Sequence, residues 1–132
     1  MKDRNVALLE IRGETIGLVT NQSSDEEIFQ NTTLRPILKF QNDLFIEIFI
    51  NYAIKQKSVF FTLSSEKKLD YIANVIHRDI KFRNSLKGTV IALFTIDDYK
   101  EYTKNSSNLN KRMMNMLIER LKSQVQLIEV KN

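Results

Sequence analysis

A chain of 132 residues with 42% apolar side chains is long enough for one hydrophobic core and short for two. Its 20 basic and 16 acidic residues leave a net charge of +4, and cysteine is absent, which excludes disulfides, thiolate catalysis and cysteine-held metal or iron–sulfur centres. The single histidine, His77, also excludes a zinc or iron site built from several imidazoles of one subunit.

No stretch approaches the roughly 20 apolar residues of a bilayer span. The greasiest run, Leu44–Ile50, is interrupted by Glu47 and followed by Asn51, Lys55 and Lys57. Met1–Gly17 places Lys2, Asp3, Arg4, Glu10, Arg12 and Glu14 around short apolar clusters and has no signal-peptide apolar region. The expectation is a cytoplasmic protein with no membrane contact. Residues 1–33 hold 3 basic and 6 acidic side chains, and residues 104–132 hold 6 and 2. Such a gradient favours head-to-tail contact or an anionic partner; it bears on association and not on fold.

In chain order, Asn5–Ile11 and Thr15–Thr20 are short apolar runs around Gly13 and Gly17 that do not fix their own period. They read as a short helix followed by an extended arm, or as a hairpin, so residues 1–23 are treated as an arm packing on the main body or on a partner subunit. Ser24 followed by Asp25, Glu26 and Glu27 has the cap residue and the carboxylate three places on that open a helix, here to about Thr32. Pro36 suits a first helical turn, with Thr33 as cap, and predicts a helix to Gln56. One face is Ile37, Phe40, Leu44, Ile48 and Tyr52, widened by Leu38, Phe45, Phe49, Ile46, Ile50 and Ala53. Only Lys39, Asp43, Glu47, Asn51 and Lys55, spaced by four, are left for water.

Ser58–Ser65 reads as a link pinned by Val59, Phe60, Phe61 and Leu63. Ser64 or Ser65 then caps a helix to His77 with Leu69, Ile72, Val75 and Ile76 inward. Ile80–Phe94 follows helical spacing through Phe82, Leu86, Val90 and Leu93, although Thr89–Thr95 alone resembles a strand. A helix is expected, with Gly88 marking close approach of another helix. Thr95 and Asp98 form a capping box before a short helix through Tyr99 and Tyr102. A polar turn over Lys104–Asn108 precedes a last helix from Leu109, with a seam of Met114, Ile118, Leu121, Val125 and Ile128 that suits bundle packing or a dimer coil. The predicted class is all-α: a compact single-domain bundle of about five helices.

Chemistry-bearing groups are sparse. Asp97 and Asp98 diverge at a helix start, so a carboxylate metal site is not expected. No catalytic residue, metal ligand or cofactor is assigned. The densest polar group runs from His77 to Lys87: Asp79 is placed to pair with Arg83 four residues on, while Arg83, Asn84 and Lys87 can face an anion. As a helix-turn-helix it would use His77–Asp79 as the turn, giving a weak nucleic-acid reading. A second group is Asn105, Asn108, Asn110, Arg112 and Asn115. There Asn115 is expected to pair with Arg112 and reach toward Arg35 or Asp43. Arg35, Arg83, Asn84, Lys87, Arg112 and Asn115 are therefore the candidate lining of an interhelical polar pocket for a small anion.

The runs Thr33–Asn42, Asp79–Thr95 and Asn105–Gln124 together resemble a family of small bacterial proteins common in the Bacteroidetes lineage, some of which carry a glyoxalase label. The resemblance implies an all-helical fold over nearly the whole chain and maps no active-site motif. Glyoxalase chemistry sets several histidines and glutamates around a divalent metal, a set that His77 alone does not supply. The leading expectation is a non-enzymatic helical protein that associates with itself as a homodimer or with another protein. An anion pocket and a nucleic-acid regulator stand behind it.

Overall fold

The computed structural model describes residues 3–13 and 24–130, and every regular element among them is helical. The helices are shorter and more numerous than five, because the long ones expected from the sequence are interrupted. The Thr15–Thr20 run lies outside the described residues. The chain divides into two compact units, one drawing on residues up to Gln41 and on Lys87–Met113, the other on Asn42–Leu86 and Met114 onward.

In the first unit, α1 (Arg4–Arg12) starts at Asp3, whose carboxylate accepts the Val6 N–H at 2.9 Å, and stops at Gly13, where φ is +75°. The region read as helix or hairpin is thus helical over these residues. α2 (Asp25–Phe29) begins at Ser24, whose hydroxyl oxygen accepts the Glu27 N–H at 3.1 Å, as its cap sequence predicts. It does not stop near Thr32. A wide π turn, Gln30–Leu34, carries it into α3 (Arg35–Phe40), so Thr33 is an interior residue and not a cap. Pro36 explains the wide turn: it has no N–H to give the carbonyl of Thr32 four residues back, and its ring would strike that carbonyl in a regular helix. The Arg35 N–H instead reaches five residues back to Gln30.

α6 (Ile80–Ile91) ends three residues before Phe94, and the capping box of Thr95 and Asp98 opens α7 (Ile96–Lys104) as expected. Thr89–Thr95 is therefore helix end and turn. Gly88 sits on an exposed face where an added Cβ would meet nothing within 4 Å, so the expected close approach of a second helix is absent. The polar turn shrinks to Asn105, and α8 (Ser106–Ser123) starts three residues earlier than Leu109. Phe94 packs edge-on to Phe29 and to Tyr102, with centroids 5.6 Å apart in both pairs.

In the second unit, α4 (Asn42–Lys55) is separated from α3 by Gln41, which leaves helical geometry at φ −90°, ψ 4°. Phe45, Ile46, Phe49, Ile50 and Ala53 are buried, whereas Leu44 is 46% exposed, and Phe40 on the other side of the break is 52% exposed. The polar stripe Lys39, Asp43, Glu47, Asn51 and Lys55 is exposed throughout, as its spacing of four predicts. α4 ends on Lys57 and Ser58, both left-handed at φ 65° and 59°, where glycine would be the unstrained choice.

The link becomes a 3-10 turn, Val59–Thr62, pinned by buried Phe60. α5 (Ser65–Arg78) is capped by Ser64, and Asp79 alone separates it from α6. Phe49 is the hub of the aromatic packing, edge-on to Phe60 at 5.3 Å, Tyr71 at 6.2 Å and Phe82 at 6.1 Å. The α8 seam residues Met114, Ile118 and Leu121 are buried within the chain, so they are not available as a dimer coil. The helix stops at Ser123; a 3-10 turn over Val125–Leu127 redirects the chain to bury Ile128. Paired amides hold this redirection: Asn42 donates to Gln124 at 2.8 Å and Gln124 donates back at 2.7 Å.

Candidate functional site

Of the six residues expected to line one polar pocket, Arg35, Lys87 and Arg112 belong to the first unit and Arg83, Asn84 and Asn115 to the second. In the first, the Arg112 Nε donates to Glu26 Oε2 at 3.2 Å and its Nη1 to Gln30 at 2.7 Å. Arg35 Nε donates to Asn31, one turn back, at 2.9 Å. The two guanidinium groups thus serve separate partners. Asn115 is exposed, and the expected Arg112–Asn115 pair is replaced by an Arg112–Glu26–Asn105 arrangement in which Asn105 also donates to Glu26 at 2.7 Å. Hydrogen bonds from Asn105 and Arg112 hold the Glu26 carboxyl below its ordinary range. Part of the acid-to-base gradient along the chain is therefore closed intramolecularly.

In the second unit, Arg83 donates to the His77 carbonyl at 3.2 Å and Asn84 faces solvent. Asp79 does not pair with Arg83 as its spacing suggested. Its Oδ1 accepts the Phe82 N–H at 3.0 Å, capping α6, and its Oδ2 accepts the Tyr52 hydroxyl at 2.7 Å. Those two hydrogen bonds, Phe82 first, lower the pKa of the Asp79 carboxyl, while burial and the neighbouring carboxylate raise that of Tyr52 far above its usual value. The Tyr52 ring stacks on Phe82 with centroids 3.9 Å apart at 23°. Around this pair lies an open cleft of about 350 Å³ lined from α4, the α5–α6 joint and α6.

The most buried charge escaped the sequence reading. Arg12 is 7% exposed, and its Nη1 meets Asp98 Oδ2 at 2.6 Å. Its Nη2 donates to the Thr32 carbonyl at 3.3 Å, the group that Pro36 leaves without a helical donor. Asp98 Oδ1 accepts the Thr33 hydroxyl, and its Oδ2 also accepts the Thr95 N–H. Arg4 donates to the carbonyls of Phe94 and Ala92 at 2.7 and 3.0 Å, and Asn5 accepts the Ile96 N–H at 3.0 Å. The polar face of α1 is thus spent on the end of α6 and the start of α7, including three of the orphan groups that helix ends leave behind. The capping box was visible in the sequence. The arginine that reaches it from 86 positions away was not.

With that face engaged, α1 still exposes apolar side chains beside the exposed Glu10. Val6 is 45% and Leu9 54% exposed, and on α7 Ile96 is 53% and Tyr99 49% exposed. Each pair is three residues apart, so each shares one helix face. Among the described residues no group of three or more histidine, aspartate or glutamate side chains is placed to hold a metal, and no helix is long and apolar enough to cross a membrane. Neither a family model, nor a curated protein, nor a solved structure matches the chain.

Proposed function

We propose that this protein acts by non-catalytic association, first with a second copy of itself, through the outer faces of α1 and α7. The observation that carries the reading is the half-exposure of Val6, Leu9, Ile96 and Tyr99 on two helices tied together by Arg4, Asn5 and Arg12. Exposed apolar side chains on a rigid support suit an interface core, and an aromatic ring such as Tyr99 is a common anchor. Asp97 and Lys100 flank Tyr99 in exposed positions of opposite sign. A two-fold interface, which places the same patch on both copies, can set each against its opposite. The greasy sides of α4 and α8 suggested association from the sequence; burial of Phe45, Phe49 and Ala53 on α4 and of Met114, Ile118 and Leu121 on α8 takes most of them into the core, and the proposed contact is placed on α1 and α7.

The test is sedimentation equilibrium at micromolar concentration, comparing the parent with Leu9→Asp combined with Ile96→Asp. The expected outcome is a dimer of the 15.5 kDa chain that the double substitution converts to monomer with its helical circular dichroism intact. A parent that sediments as a monomer throughout ends the self-association reading.

A further inference from the structure

The cleft beside Tyr52 belongs to the second unit and has no part in the proposed interface. Its floor is apolar and fixed. The Tyr52 ring is held against Phe82 by stacking from one side and by the hydroxyl bond to Asp79 from the other, and Ile48, one turn before Tyr52 on α4, extends the floor. Asp79 in turn is fixed by capping α6 through Phe82. A pair of rings so restrained loses little conformational freedom when a flat molecule lies on it.

The rim has a different chemistry. Lys55 from the last turn of α4 and Lys81 from the first turn of α6 both line the cleft, and Asn51 adds an amide one turn before Lys55. Asp79 is the one acid of the lining, and both of its oxygens are engaged by protein donors. The lining therefore carries two cations against one carboxylate, a net charge of +1, and both carboxylate oxygens already accept a protein hydrogen bond. A phosphate alone would waste the ring floor, and an uncharged hydrocarbon would waste the lysines. At about 350 Å³ the cleft stands at the small end of ligand sites.

We infer that this cleft binds a small aromatic anion, a flat body of one or two rings bearing a carboxylate or sulfonate, with the rings over Ile48 and Tyr52, the Tyr52 ring backed by Phe82, and the anionic group between Lys55 and Lys81.

The experiment titrates 2-naphthoate into the ¹⁵N-labelled intact chain and follows amide shifts, with 2-naphthylmethanol as the uncharged counterpart. Saturable shifts confined to residues 48–56 and 79–85, with the alcohol binding at least about tenfold more weakly, are expected. Substituting Lys55→Gln together with Lys81→Gln, both exposed positions, should weaken naphthoate by about tenfold and leave the alcohol unchanged, since two charge-assisted contacts are lost. No saturable shift at millimolar naphthoate overturns the inference. So do shifts centred elsewhere, equal binding of the alcohol, or a double variant that binds naphthoate like the parent. Because Leu9 and Ile96 are untouched, the same double variant should sediment as the parent does, which separates this result from that of the association test.

Discussion

Replacing Arg12 by methionine keeps most of the side-chain length and removes the guanidinium from a site where only 3% of that side chain is exposed. Asp98, itself 17% exposed, then loses its charged partner but keeps the Thr95 N–H and the Thr33 hydroxyl. Breaking a buried pair by removing one member costs about 3–5 kcal/mol, and the two surviving hydrogen bonds place this case near the lower end, at about 3 kcal/mol. The carbonyls of Thr32 and Leu93 also lose a donor, but at 3.3 and 3.4 Å those bonds are long and add little. With an unfolding entropy of about 2.1 cal/mol/K per residue, 3 kcal/mol corresponds to a drop of roughly 11 °C in Tm. Thermal melts and urea titrations followed by circular dichroism give the number, and amide exchange over Val6–Gly13 shows whether α1 is released first. A variant within about 1 kcal/mol of the parent, with α1 still protected from exchange, refutes the assignment of Arg12 as the tie between α1 and the α6–α7 joint.

Gly88→Ala should stabilise the protein by about 1 kcal/mol, because the position is helical and its Cβ meets open space, and an unchanged or lower urea midpoint would contradict that. Tyr52 has a folded pKa raised above the ordinary 10.0, so its neutral form contributes stability that is complete below that value and is lost as pH rises beyond it. Tyr52→Phe should therefore flatten the alkaline fall of the urea midpoint, and an identical fall in both proteins counts against the Tyr52–Asp79 bond. Glu26 is the opposite case. Its folded pKa is lowered from 4.5, so its contribution is present above that value and disappears as pH falls through the folded one. Glu26→Gln should give a shallower acid limb, and a parent and variant that lose stability in parallel would show that Asn105 and Arg112 do not act on it.

Helix starts capped by a side chain three residues from the N–H it accepts were legible in the sequence. Ser24, Ser64 and the Thr95–Asp98 box cap helices because a side chain three residues from an orphan N–H needs no tertiary help to find it. The polar stripe of α4 was legible for the same reason. Two breaks were not. Gln41 breaks the long helix and Gln124 ends α8 without any compositional mark; the Gln124 turn is held by an exchange of amides with Asn42, 82 residues away. The predicted pocket is another instance. Its six residues were grouped by charge and spacing, and spacing cannot tell Arg112 that Glu26 will be beside it.

The periodicity of apolar residues, the caps and the absence of strand alternation determine by themselves that this chain is helical, since each is a property of neighbours three or four positions apart. Only the tertiary structure decides which apolar faces stay outside and which charges are spent inside. Arg12 and Asp98 lie 86 residues apart, Arg4 and Phe94 lie 90, and burial of each depends on what the fold brings against it. The surfaces proposed for function, on α1 and α7 and in the cleft beside Tyr52, are left by that allocation, and no local pattern records it.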